Sequence, residues 1–389
     1  MRTRVQLLWL AAALMMSAKG VRADVIIETV GPTGANFTSL GAAAAAEVST
    51  NSYIINMAPG TYTNDFAVFN AATTLNATGV IIMTNEPPPN EKGVLTTIFP
   101  LTVNGLSLIG TPDTGPNSLG SGIPANQGGN SSAIREQANG ANTLTVNNAL
   151  IQGFQMGILT SSDSGNTHLD QVTISNTQFV NNGGAFDPSS PFTFGHALYV
   201  GDAASLTVTG SLFCGQVIGH DIKSRAAQTT VTGSTMFVGT NGGAPAACNV
   251  GSASLAIDMP NGGIGLIDMN KIFQGDANQN GSLIRFGEEG LVPTFVNSLS
   301  VTNTTFDNLG NGASIGIDEL NNCIAPVSGV ASDTFINVGT PVRPVMGCVS
   351  AAPAAAAAAL VPVVPEPRSL VLLSSALMAL FLFRRRTNG

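Results

Sequence analysis

One eight-residue pattern recurs along this chain and constrains what it can fold into more than any other feature. Two apolar residues alternate with polar ones, a small residue or asparagine marks a turn, and a large apolar residue closes the unit. It appears as LTVNGLSL (101–108), LTVNNALI (144–151), VTISNTQF (172–179), LTVTGSLF (206–213), TTVTGSTM (229–236), LIDMNKIF (266–273) and LSVTNTTF (299–306), with a weaker copy ending at Phe335. Alternation with period two is a strand signal, and Gly or Asn after it is a turn signal. The closing positions lie 23 to 43 residues apart. A constant motif at uneven spacing is what a coil with loop insertions produces. One copy cannot bury its apolar face alone, so copies must stack. A β-sandwich gives no reason for one pattern to recur seven times. The expected fold is all-β, a right-handed parallel β-helix over roughly residues 50–345. With only 10% charged residues and 44 glycines, the composition suits strands joined by turns better than helices.

The start of the body has a different character. Asn36-Phe37-Thr38-Ser39-Leu40 leads into an alanine run to Ala46, and then come Ile54-Ile55-Asn56-Met57-Ala58-Pro59-Gly60. Alanines favour a helix near Leu40 to Glu47, with Thr38 or Ser39 as its N-cap. Pro-Gly then ends a strand. This order resembles the N-terminal cap and first coil of pectin-lyase-like β-helices, and the resemblance implies a helix closing the open end of the core.

Both chain ends read as addressing segments. Arg2 and Arg4, the apolar stretch Val5 to Ala18, and Val21-Arg22-Ala23 make a signal peptide over 1–23. The β-helix domain is expected over 24–350, followed by an Ala/Pro linker at 351–364. The tail, 365–389, holds Pro365-Glu366-Pro367, the apolar run Leu370 to Phe383, and Arg384-Arg385-Arg386. These three parts in order resemble the PEP-CTERM sorting signal. The resemblance implies a C-terminal transmembrane helix, an exosortase-type sorting protease as partner, and a destination in the cell envelope or extracellular space. In an oxidising compartment Cys214, Cys248, Cys323 and Cys348 are expected to form disulfides, with Cys214–Cys248 and Cys323–Cys348 the preferred pairings.

Without the signal and the tail, seven Lys and Arg stand against 22 Asp and Glu, a net of −15. Nucleic acid is not an expected partner. A second strand pattern precedes several repeats: His196-Ala-Leu198-Tyr199, His220-Asp-Ile222-Lys223, Leu255-Ala-Ile257-Asp258, Ser282-Leu-Ile284-Arg285 and Ile315-Gly-Ile317-Asp318. Aligned on the aliphatic residue, each next residue points outward. This predicts an outward ladder of Tyr199, Lys223, Asp258, Arg285 and Asp318, with Arg225 on the same face and His196 and His220 in a second column. Asp258 between two cations is expected to have a lowered pKa and to raise theirs. The stretches 219–226 and 256–263 resemble segments of secreted bacterial β-helix proteins.

Two functions fit this face. One is a structural or polysaccharide-binding role, with Lys223–Asp258–Arg285 as a stacked ion-pair network. The other is a polysaccharide lyase acting on an acidic glycan by β-elimination. In that reading Lys223, His220, Tyr199 and Arg285 are catalytic, and His196, Arg225 and Asp258 bind substrate. Glu288-Glu289 could supply one acid or base to pair with Asp258, since strand neighbours point opposite ways. No metal or other cofactor is expected; Asp276-Ala-Asn278-Gln-Asn280-Gly281 only begins like a calcium loop, and its glutamate falls one residue late at Glu288.

Overall fold

The computed structural model describes residues 23–86, 88–90, 92–110, 132–137, 142–160, 170–183, 195–239, 253–276, 280–310, 314–320 and 327–344. All but the last residue of the expected signal peptide, and the whole of the expected linker and sorting tail, lie outside them, as do Cys248, Cys323 and Cys348. Cys214 is buried and disulfide-bonded; the expected pairings fall outside the described residues. No described helix is long and apolar enough to cross a membrane, and the apolar run 370–383 is not among the described residues.

The body is an all-β solenoid of parallel strands, and each full coil contributes three of them. The first face carries Thr143–Asn147, Gln171–Ser175, Ser205–Thr209, Gln228–Thr232, Ile264–Asp268 and Ser298–Thr302; the second carries Leu150–Gln152, Gln178–Val180, Leu212–Cys214, Thr235–Val238, Lys271–Gln274 and Thr305–Asn308. These join one large sheet. The third face is a separate ten-stranded sheet running from Ala67–Phe69 to Thr340–Arg343. The coil starts before residue 50, because Val25–Val30 already pairs in parallel with Ser52–Met57.

The repeat stacks as expected. Leu144, Val172, Leu206, Thr229, Gly265 and Leu299 form one column. Beside it run Leu75, Val103, Val146, Ile174, Val208, Val231, Ile267 and Val301, all essentially fully buried. The closing residues Ile151, Phe179, Phe213, Met236, Ile272, Phe306 and Phe335 form a third column, in which Phe179 stacks on Phe213 at 4.7 Å.

One repeat must be corrected. Its closing residue is Ile272, and Phe273 points outward onto Phe237 at 4.8 Å, so the unit spans 265–272. The turn explains why. Gly105, Asn148, Asn176, Gly210, Gly233 and Asn303 all take positive φ at the fifth position, and in the corrected unit this residue is Met269, at φ 55°. Left-handed backbone favours Gly and Asn, so Asn270 had the right chemistry for the turn and the wrong place. Asn270 belongs instead to the next column, a buried polar ladder of Thr177, Ser211, Ser234, Asn270 and Thr304. There the N–H of Thr177 donates to Ser211 Oγ (3.2 Å), that of Ser211 to Ser234 Oγ (3.1 Å), and that of Ser234 to Asn270 Oδ1 (2.9 Å). The turn thus satisfies backbone donors that the sheet leaves unpaired.

The capping helix spans Leu40–Ala46, with Ser39 as N-cap accepting from the Ala42 N–H. Leu40, Ala43 and Ala44 are buried against the first coils.

Candidate ligand site on the third face

The ten-stranded sheet of the third face brings the predicted ladder into register. Tyr199 pairs with Lys223, Lys223 with Asp258, Asp258 with Arg285, and Arg285 with Asp318. Parallel rungs lie ~4.8 Å apart. The column extends backwards through Leu159 and Arg135 and forwards to Arg343. Its inward neighbours, Ile158, Leu198, Ile222, Ile257, Ile284 and Ile317, are all buried, which anchors each rung.

The face is not open to solvent in the way an outward ladder implies. Asp258 and Asp318 are 0% exposed and His196 5%. The cover is the turn after strand Ser282–Phe286. Gly287 and Gly290 take φ of 80° and 94°, and the turn is tied down by the Glu289 N–H to Pro260 O (2.9 Å) and the Val292 N–H to Asn261 O (3.1 Å). Because residues 287–290 form a turn and not a strand, both glutamates reach the cluster, correcting the expectation that only one could. Glu288 holds Arg285 at 2.6 Å, while Glu289 places one oxygen 3.0 Å from Lys223 Nζ and the other 2.5 Å from Arg225 Nη2.

Each cation has further partners. Lys223 Nζ lies 3.5 Å from Asp258 Oδ2. Arg225 Nε donates to the Tyr199 hydroxyl (2.9 Å), and its Nη1 donates to Asn261 Oδ1. Arg285 Nε is 3.7 Å from Asp318, which also takes Arg343 at 2.5 Å. Both Lys223 and Arg225 approach the Tyr199 ring at 5.9 Å from its centroid, a cation–π distance.

The two histidines stack at 4.8 Å between ring centroids, and the His220 N–H donates to His196 Nδ1 (3.0 Å). Gly219 permits this approach: at φ 79°, a Cβ there would lie 1.9 Å from Gly195 O and 3.0 Å from His196 Nδ1. Burial, reinforced by Lys223 and Arg225, pushes His196 down to about 3. Burial first, then His196, Lys223 and Arg285, drive His220 well below its ordinary value. Both rings are neutral near pH 7.

Asp258 departs from expectation. Burial raises it to about 7, outweighing the pull of Lys223 and Arg285, with Glu288 and Glu289 adding to the rise. Desolvation of a carboxylate dominates when no hydrogen bond reaches it, and neither oxygen of Asp258 receives one from the described residues. Lys223 behaves as expected. Burial lowers its pKa, but Asp258 and Glu289 more than compensate, and the ammonium is held above its usual value. Burial likewise raises Glu289, yet Lys223 and Arg225 prevail and keep its carboxyl low.

His220, Asp258 and Glu288 offer metal-type ligand atoms within 4.8 Å of one another. Lys223 beside Asp258 and Arg285 beside Glu288 already occupy the positions a cation would contest. In the calcium-like stretch, residues 277–279 lie outside the described set; Asn280 turns its amide to Ser254 Oγ.

The alignment of strands located Tyr199, Lys223, Asp258, Arg285, Arg225, His196 and His220 together. It missed Asn261, and it missed that Glu289 completes the cluster. The signal was the pair of glycines flanking Glu288-Glu289, which marks a turn able to fold back over the sheet.

No protein-family model and no curated protein matches the chain. Among solved structures it is similar to a pectin methyl esterase of the rice weevil (12% identity over 83% of this chain and 89% of that one, TM-score 0.41). It is also similar to a pectin methylesterase of Aspergillus niger (12%, 81% and 82%, 0.31) and to a surface adhesin of Streptococcus pneumoniae (12%, 72% and 76%, 0.33). The solenoid assignment rests on this chain's own strand register.

Proposed function

We propose that this chain is an exported β-helix protein that binds polysaccharide in the cell envelope or extracellular matrix without cleaving it. Its address is the signal peptide together with Pro365-Glu366-Pro367 and the apolar, arginine-ended tail, which an exosortase-type protease would process. The coil is right-handed in this reading, as parallel crossover connections almost always are. The observation that carries the non-catalytic reading is the state of Lys223: it contacts two carboxylates, Asp258 and Glu289, that hold it as an ammonium. A general base for β-elimination must be free and unprotonated. The partly exposed cations Lys223, Arg225 and Arg285, held on rigid strands, are instead suited to recognition.

The test is incubation of the purified body with alginate, pectate and hyaluronan, followed by co-sedimentation and by absorbance of unsaturated uronate. Retention of polysaccharide with no rise in absorbance is expected. Rising absorbance would replace binding with lyase chemistry. Mass spectrometry of the released protein is expected to show the new N-terminus at Asp24 and a chain that has lost Arg386.

A further inference from the structure

Lys223 and Arg225 grip a single carboxylate from two sides. The Glu289 oxygens divide between them, one 3.0 Å from the ammonium and the other 2.5 Å from the guanidinium. The grip is pre-built. Arg225 is fixed by the Tyr199 hydroxyl and by Asn261, and Asn261 in turn donates to Gly290 O at 3.2 Å. Lys223 stands on the rung beside Tyr199, with its strand locked in register. Charge-assisted pairs of this kind place a planar carboxylate with defined orientation. The guest differs from its hosts. Side-chain exposure is 12% for Lys223 and 25% for Arg225 but 38% for Glu289, which rides on a turn between two glycines of positive φ. A rigid, half-buried host holding a more exposed guest on a turn is the arrangement of an internal competitor.

We infer that Glu289 is a stand-in for the carboxylate of a uronate residue in an acidic glycan, and that Lys223, Arg225 and Tyr199 form the uronate subsite that it fills. This rests on the reading of the third face as polysaccharide-binding and gives that face its ligand class. The body repels acidic glycans at long range through its −15 charge. Two cations on one carboxylate, beside an aromatic ring on which a sugar can lie, answer that repulsion locally. When the glycan enters, the Glu289 side chain rotates out to solvent while the turn stays bonded to Pro260 and Asn261. Occupation of the site by Glu289 sets the apparent affinity, because a competent state populated one-tenth of the time weakens binding tenfold.

The experiment compares the full chain with Glu289→Ala and Glu289→Ala/Arg225→Gln. Arg225 is chosen over Lys223 because Lys223 also faces the buried Asp258. Thermal unfolding is followed in propionate and in propionamide, which has the same shape without the charge. Tri-galacturonate binding is measured by calorimetry, with cellotriose as the neutral control. In Glu289→Ala, propionate should raise the melting temperature saturably and propionamide should not. Tri-galacturonate should bind at least about tenfold more tightly than to the wild type, and the double variant should lose both effects. No propionate effect in Glu289→Ala, or a gain that survives Arg225→Gln, overturns the inference. So does propionate rescue without uronate binding. Polysaccharide retained equally by all three proteins would sink the subsite while leaving the binding function intact. Loss of all glycan binding, wild type included, would sink both.

Discussion

Asp221 occupies a core position in the stack, where the neighbouring rungs carry Ala197, Ala256 and Leu283. It is fully buried, neither carboxylate oxygen has a hydrogen bond among the described residues, and burial drives its pKa well above 3.8. The folded state therefore keeps a proton that the unfolded state loses above pH 3.8, and stability falls as pH rises through that window. Asp258 acts in the same direction between 3.8 and about 7. His196 and His220 act oppositely. Their folded pKa values lie below 6.5, so the unfolded chain takes up protons that the folded one refuses, and stability is lost as pH falls below 6.5. The two effects offset each other between pH 3.8, where the acids begin to act, and 6.5, where the histidines do. Asp221→Asn removes one of the compensating acids. Its urea midpoint should drop more steeply on acidification from pH 7 to 5 than that of the wild type. At pH 7 it should be more stable if the amide finds one partner, by about 1–3 kcal/mol, the cost of an unsatisfied buried polar group. Parallel midpoint curves for the two proteins would show that Asp221 is ionised in the fold.

At the scale of the single repeat, the turn is the most informative element. Six units place Gly or Asn at the left-handed fifth position, and one places Met269 there, 56% exposed and with no burial to offset its strain. Left-handed backbone costs a residue with a Cβ roughly 1–2 kcal/mol. Met269→Gly should therefore raise stability by about 1 kcal/mol, less the flexibility that glycine adds to the unfolded chain. A shift in denaturation midpoint at unchanged slope would register it; a lower midpoint would mean that Met269 makes a compensating contact. The same residue shows where sequence reasoning reached its limit. Alternation and column identity were legible at Leu144, Leu206 and Leu299 because every rung repeats the same burial. The 265–272 unit was read one residue late because Asn270 imitates a turn residue while serving the polar ladder. The candidate site divides in the same way. Tyr199, Lys223, Asp258 and Arg285 lie on repeating strands, and spacing alone aligned them. Glu289 and Asn261 sit in irregular turns, whose path depends on glycine dihedrals and on contacts far away in sequence. The raised pKa of Asp258 depends on that cover, so a reading that counted charges without burial took its direction the wrong way.

A solenoid has only nearest-neighbour contacts between coils, so its stability is a sum over rungs and its ends are the places it can open. The first coils are closed by the seven-residue helix Leu40–Ala46, which is too short to persist alone and must be held by what it packs on. Two carboxylates do this. Asp65 accepts from the N–H groups of Leu40 (2.7 Å) and Gly41 (2.9 Å) at the start of the helix. At the other end Glu47, 7% exposed, accepts from the N–H of Asn70 (2.7 Å), the N–H of Ala71 (3.1 Å) and the Thr73 hydroxyl (2.6 Å). Hydrogen bonds to a charged acceptor contribute ~1.5–3 kcal/mol each. Asp65→Ala removes two that share one residue, and about 2–4 kcal/mol of local stability should go with them. Loss of the lid exposes Leu40, Ala43, Tyr53 and Ile55, all buried in the native protein. Because coupling passes only between adjacent coils, the damage should fade along the axis. Hydrogen exchange in Asp65→Ala should accelerate strongly in Ser52–Met57 and Ala67–Phe69, and hardly at all in Ser205–Thr209 and Gln228–Thr232. Exchange that quickened equally in all four strands would mean that the solenoid unfolds as one cooperative unit, with the helix stabilising every coil at once.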